Sequence, residues 1–229
     1  MILSVLTNGQ KALLRDRSIL EAVGLCGVMN TEQLTELFFR FATGKRKCQA
    51  RMKSLVDHKM VKKTRTSLDS CTIYNQKKLP DHVEHAIALS WVYVWIKRNR
   101  PGEILLTWEL EQLKEFGNIL QADALCSVRI EMTNEIRWYC VEMDRGSVNR
   151  NKFDKIEKYI ALYNREGIAG SPMLKRLDNP LRFPKVIIVT DDVKRGQRIR
   201  ELVANSNTRL KFEVHLLNAI KEEGKILCL

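Results

Sequence analysis

The chain lacks the spacings that mark the commonest metal and nucleophile sites. Its six cysteines (Cys26, Cys48, Cys71, Cys126, Cys140 and Cys228) include no C-x-x-C pair. Most sit inside apolar patterns, so they read as reduced core residues of a cytoplasmic protein, not as a zinc site or a disulfide framework. There is no Gly-rich phosphate loop, no H-E-x-x-H and no nucleophile elbow, and the four histidines are scattered. Long hydrophobic runs are missing as well. The most apolar stretch, Ala86–Ile96, is too short to span a bilayer. The opening MILSVLTNGQK has no basic flank before its apolar run, so a signal peptide is not expected. No internal repeat or low-complexity tract interrupts the chain.

Acidic residues are scarce at one end. Residues 1–80 hold six Asp and Glu against fifteen Lys and Arg, a formal +9 of the total +12, which leaves +3 for the rest of the 229 residues. A sequence pI near 9.5 favours a polyanionic partner, nucleic acid before membrane. The length suits one large or two small domains.

The basic third has a recognisable order. Asp16–Gly24 carries Ile19, Leu20 and Val23 at helical spacing, with Gly24 and Gly27 as stops. Asn30-Thr31 caps a second helix with a stripe of Leu34, Leu37 and Phe38. Gly44 precedes a third helix, in which Cys48, Met52, Leu55 and Val56 face inward. Two strand-like runs, Met60–Thr66 and Cys71–Gln76, follow around a polar turn at Ser67–Ser70. Three short helices and a basic hairpin are the order of a winged helix-turn-helix, whose third helix enters the major groove. Lys45, Arg46, Lys47, Gln49 and Lys53 are the expected helix contacts with double-stranded DNA, and Lys62, Lys63 and Arg65 those of the wing. Most of them should neutralise phosphates, with Arg46 and Gln49 as the base readers. Such a module also serves in protein–protein contact, including homodimers.

After a linker at Lys77–Pro80 the pattern reads α-β-β-β-α-β-α-β. It comprises a helix from Asp81 to about Asn99 with a stripe of Val83, Ile87, Trp91, Val94 and Trp95, and then a strand at Ile104–Leu110. Strands at Ala122–Ile130 and Ile136–Asp144 follow, then a helix bearing Phe153, Ile156, Tyr159, Ile160 and Tyr163 on one side. A loop at Gly167–Pro184 leads to the strand KVIIVT, a helix at Lys194–Ala204 with Ile199, Leu202 and Val203 inward, and a strand at Lys211–Leu217. This order calls for a mixed sheet with helices against it.

Within it, IRWYCVEMDRG ends an apolar run abruptly in acids. Alternation puts Glu142 and Asp144 on one face of the strand. A two-residue turn at Thr133-Asn134 sets Asp123 opposite Asp144 and diagonal to Glu142. Any even-length turn keeps the three acids on one side. Such a cluster suits Mg²⁺, held by one or two carboxylates with water and phosphate oxygens. A solvated strand end with a salt bridge to Arg145 is the plainer reading.

An Asp opening the second strand and an acid-x-acid ending the third resemble the PD-(D/E)xK nuclease-like fold. QADAL followed by YCVEMDRGSVNRNKFDKIEKYIALY resembles, more closely, the replication-relaxation family of bacterial plasmids and mobile elements. In that family a winged helix precedes a segment of the type P-D-A…E-x-D-R-G…K-x-x-x-Y. The resemblance implies a mixed α+β chain of the α/β type. A winged helix would occupy residues 1–78 and a restriction-endonuclease-like αβββαβ core residues 79–229. It makes Asp123 and Glu142 the ligands of Mg or Mn, and counts Asp144 and Lys155 with them as site residues. Asp144 stands where active nucleases usually carry Lys, and Ala122 replaces the usual Pro. Lys155, one helix on, either reaches back to supply the missing cation or pairs with Asp144 or Glu142 and holds its helix to the sheet. The implied function is DNA binding in plasmid replication or relaxation, with replication proteins as partners. Two readings stay open: a nuclease-like domain that is catalytically silent, or a metal-dependent DNA nuclease or nickase.

Overall fold

Thr7 starts the first helix. Its hydroxyl accepts the Gln10 backbone N–H (3.3 Å), and the Gln10 side chain accepts that of Thr7 (2.9 Å), so two orphan donors are satisfied reciprocally. Helix α1 therefore runs Asn8–Cys26, well beyond the expected Asp16–Gly24. Gly24 lies inside it, and Gly27, at φ 74°, ends it. The computed structural model describes residues 6–65, 71–111, 120–145, 154–178 and 182–226. The expected turn at Ser67–Ser70 and the position of Phe153 lie outside the described residues.

A second reciprocal cap, Asn30 with Gln33, begins helix α2 (Thr31–Phe38). Just before it, Met29–Asn30 forms a two-residue strand β1, too short to show a period in the sequence. Helix α3 spans Gly44–Asp57, and strands β2 (Lys62–Thr64) and β3 (Ile73–Asn75) follow. The three strands form an antiparallel sheet in the order β1-β3-β2. Ile19, Val23, Leu34, Leu37, Cys48, Met52 and Leu55 are buried as the apolar spacing requires, while Val56 and Phe38 are only half-buried. Arg51 pairs with Asp16 (Nε to Oδ1, 2.7 Å) and ties α3 to α1.

Helix α4 covers Val83–Asn99. Every residue from Ala88 to Ile96 is buried, so this part is enclosed on all sides instead of presenting a single stripe. The contacts divide the chain into two units between Val94 and Trp95, inside this helix and not at the Lys77–Pro80 linker. Two bonds hold the early part of α4 to the first unit: Gln33 Nε2 donates to Ile87 O and Ser90 Oγ to Val28 O, both at 2.7 Å.

The second unit is built on a five-stranded mixed sheet in the order β4-β5-β6-β7-β8. Its strands are β4 (Glu103–Leu110), β5 (Ala124–Ile130), β6 (Ile136–Asp144), β7 (Lys185–Thr190) and β8 (Phe212–Leu216). The first three pair antiparallel and the last three parallel, with helices in the parallel crossovers. Helix α5 (Lys155–Glu166) and a short α6 (Pro172–Arg176) lie between β6 and β7; α6 is capped by Ser171 within what reads as loop. Helix α7 (Val193–Asn205) joins β7 to β8, and α8 (Leu217–Ile226) follows. Leu202 of α7 is 43% exposed, against its expected inward position.

One face of this sheet carries an apolar core: Leu125, Cys140, Val186 and Ile188 cluster with Ile156, Tyr159, Leu162 and Ile199 from α5 and α7. The opposite face carries a paired polar set. Arg100 donates to Glu103 (2.7 Å) and Glu213 (2.9 Å), and the Tyr139 hydroxyl donates to Glu103 (2.9 Å).

The β5–β6 register differs from the two-residue-turn expectation. Ile130 N donates to Glu135 O (2.8 Å), and the turn Glu131–Asn134 closes with Asn134 at φ 56°. Ala124 pairs with Val141, so the register brings Asp123, just before β5, beside Glu142 instead of Asp144. The turn is centred one residue earlier than Thr133-Asn134, which shifts the partner by two, so the face is kept and the nearest acid changes.

Candidate functional site

The first unit presents its cations on one helix. Cys48, Met52 and Leu55 bury one side of α3, which turns Lys45, Arg46, Lys47, Gln49 and Lys53 to solvent; all five are exposed. No acid lies in the first turn of α3, and no side chain caps it. Three cations at a helix start oppose the macrodipole, an arrangement that an anion on the same surface would relieve. Lys62 and Lys63 on β2 and Arg65 just after it are also exposed, and the Arg65 Nε reaches Thr72 Oγ1 at 3.4 Å.

In the second unit, Asp123 and Glu142 sit at neighbouring strand ends. The Met143 backbone N–H donates to Asp123 Oδ2 (2.8 Å), which fixes the Asp123 carboxylate against β6. Glu142 is 1% exposed, yet each of its oxygens has a donor. The Tyr159 hydroxyl donates to Oε1 at 2.6 Å, and the Lys155 ammonium donates to Oε2. Lys155 Nζ also stands 3.8 Å from Asp123 Oδ1. Lys155 and Tyr159 can grip one carboxyl because they are four apart and share a face of α5.

Burial raises the Glu142 carboxyl to about 8; the charge and hydrogen bond of Lys155 and the bond from Tyr159 pull it down, and Asp123 pushes it further up. Burial pulls the Lys155 ammonium down, but Glu142 and Asp123 outweigh it and the net shift is upward. The Tyr159 phenol is held far above its ordinary value by burial and then by Glu142, so it acts as a donor.

Asp144 shares the face of Glu142 but has a different partner. Arg195 of α7 holds it through two bonds, from Nε to Oδ2 and from an Nη to Oδ1 at 3.0 Å. Asp144 is therefore drawn towards α7, while Lys155 forms salt bridges with Asp123 and Glu142. Arg145 pairs with Asp191 (3.2 Å). Arg195 carries no mark in the sequence beyond its helical spacing, because its acidic partner is 51 residues away, whereas Tyr159, 17 residues from Glu142, fits the last position of the K-x-x-x-Y pattern.

Asp123 and Glu142 offer the hard carboxylate oxygens that Mg²⁺ or Mn²⁺ takes, and in this arrangement the Lys155 ammonium is the cation between them. Among the described residues, no three His, Cys, Asp or Glu side chains come together as a ligand set. Among them, too, no helix is long and apolar enough to cross a membrane. Comparison of the chain with models of protein families, with curated proteins and with solved structures gives no match.

Proposed function

We propose that this chain binds double-stranded DNA through α3 and the β2–β3 hairpin, in the manner of a winged helix-turn-helix. The observation that carries the reading is the exposed cationic face of α3, backed by Lys62, Lys63 and Arg65. Phosphates would be neutralised by the lysines, with Arg46 and Gln49 placed to read base edges. The strand order and acids of the second unit support a nuclease-like αβββαβ core. With the sequence resemblance, this points to a cytoplasmic protein acting in plasmid replication or relaxation, with replication proteins or a second copy as further partners. Arg46→Ala with Lys47→Ala should weaken duplex binding in a mobility-shift titration. The double variant should also flatten the log–log salt dependence by about 0.9, the value for the one phosphate contact, that of Lys47. Unchanged affinity and slope would refute the assignment.

A second reading, metal-dependent nicking of DNA, is favoured by Lys155. This lysine comes from α5 onto Asp123 and Glu142 and makes up for the lysine that Asp144 replaces. When bound, a divalent cation would activate water and hold the scissile phosphate. Lys155 would stabilise charge developing at phosphorus, while Tyr159 and the Met143 N–H hold the two carboxyl groups in place. Supercoiled plasmid nicked with Mg²⁺ or Mn²⁺ by the wild type, and left intact by Glu142→Gln and Lys155→Met, would support cleavage. A plasmid left intact by the wild type with both metals restricts the chain to binding.

A further inference from the structure

Phe41 is the exposed aromatic among the described residues, with 47% of its surface in water. It sits in the turn between α2 and α3 and is held there from three sides. Its ring meets the buried Phe39 edge to face, with centroids 6.3 Å apart. Lys47 Nζ lies over the ring, 5.0 Å from its centre. The Gly44 N–H donates to the Phe41 carbonyl (2.7 Å), and Gly44 itself is required because a Cβ there would meet the Phe39 carbonyl oxygen at 1.7 Å. A ring that is both exposed and fixed in place has already lost its rotamer entropy, so covering it costs little further ordering.

Its surroundings say what would cover it. From Phe41 to Val56 there are five Lys and Arg and no acid, which suits a polyanion that also carries apolar groups. The major groove of DNA offers both: phosphates along its walls and thymine methyl groups on its floor. We infer that Phe41 is an apolar contact of the first unit with thymine methyl groups in the major groove, beside the phosphate contacts of Lys45 and Lys47. The inference rests on the DNA-binding reading above.

An apolar contact releases no counterion, whereas each lost cation flattens the salt dependence. Binding of a mixed-sequence duplex and of the same duplex with uracil in place of thymine should be measured by fluorescence anisotropy across a salt series. Melting curves should accompany each protein, and Phe41→Leu serves as the variant that keeps an apolar side chain. Phe41→Ala should bind the thymine duplex on the order of tenfold more weakly at every salt concentration, with the wild-type slope. Phe41→Leu should recover most of that loss. Uracil should weaken the wild type severalfold and leave Phe41→Ala unaffected. Wild-type affinity in Phe41→Ala would overturn the inference and assign the ring to a protein partner. So would a slope lowered by about one, which would mean that the ring acts only by placing Lys47, or an equal loss with uracil in both proteins. If the wild type binds neither duplex, the DNA-binding reading itself fails.

Discussion

Replacing Glu142 by Gln should change how stability depends on pH more than stability at any one pH. The side chain is 1% exposed, and its carboxyl is raised from 4.5 to about 8, chiefly by burial. The folded chain thus holds this proton more tightly than the unfolded chain does. Between those two values the native state binds more protons, so the Glu142 contribution is fully present below pH 4.5 and is lost as pH rises to about 8. At about 1.4 kcal/mol per pH unit, the loss is at most about 5 kcal/mol. The amide cannot titrate but still accepts from Tyr159. Urea denaturation of both proteins should be followed at several values from pH 5 to 8.5. The stability of the wild type relative to Glu142→Gln should fall steadily across that range and level off above it. Titrations of acids and histidines remote from Glu142 are common to both proteins and cancel in the difference. A constant difference, or one that grows with pH, would refute the reasoning, because it would mean that Glu142 is already ionised and fully matched by Lys155 at pH 5.

Gly44→Ala should cost about 3 kcal/mol or more, read as a lowered denaturation midpoint, because its methyl would collide with the Phe39 carbonyl and two backbone segments must move. Asn30→Ala removes both the acceptor for the Gln33 N–H (2.9 Å) and the anchor of the capping box, for about 1 kcal/mol by urea denaturation. Arg195→Ala leaves Asp144 largely buried without its bidentate partner, and should cost about 3 kcal/mol in the same assay. If Mn²⁺ binds at Asp123 and Glu142, it competes with the Glu142 proton. Its affinity by calorimetry should then rise as pH approaches about 8 and lose that dependence in Glu142→Gln.

Much of this molecule was readable from residue spacing, because the interactions concerned are local. Helix caps act within one turn, so Asn30 announces α2 directly. Apolar periodicity places Cys48, Met52 and Leu55 inward and, by the same geometry, Lys45, Arg46, Lys47, Gln49 and Lys53 outward. The abrupt change from apolar to acidic at Glu142 marked the end of a buried strand. Strand alternation put Glu142 and Asp144 on one side, and an even-length turn was the condition for Asp123 to join them. Where the spacing carried no signal, the reading fell short. Met29–Asn30 is too short a strand to show a period, and the Thr7 cap with Gln10 lengthened α1 beyond its apolar stripe.

Pairing across the sheet and between layers was decided only in three dimensions. The position of the turn at Glu131–Asn134, set by its hydrogen bonds, made Glu142 and not Asp144 the neighbour of Asp123. Packing of α5 on the sheet then chose Lys155 and Tyr159 as the donors to Glu142, and α7 drew Asp144 to Arg195. Sequence alone determined which chemical groups this protein carries and which face each helix and strand turns to the core, since those follow from backbone periods of 3.6 and 2. Which of those groups meet was left to the fold, because a charge entering a low-dielectric interior is stabilised by whichever partner the packing delivers, however far away in the chain.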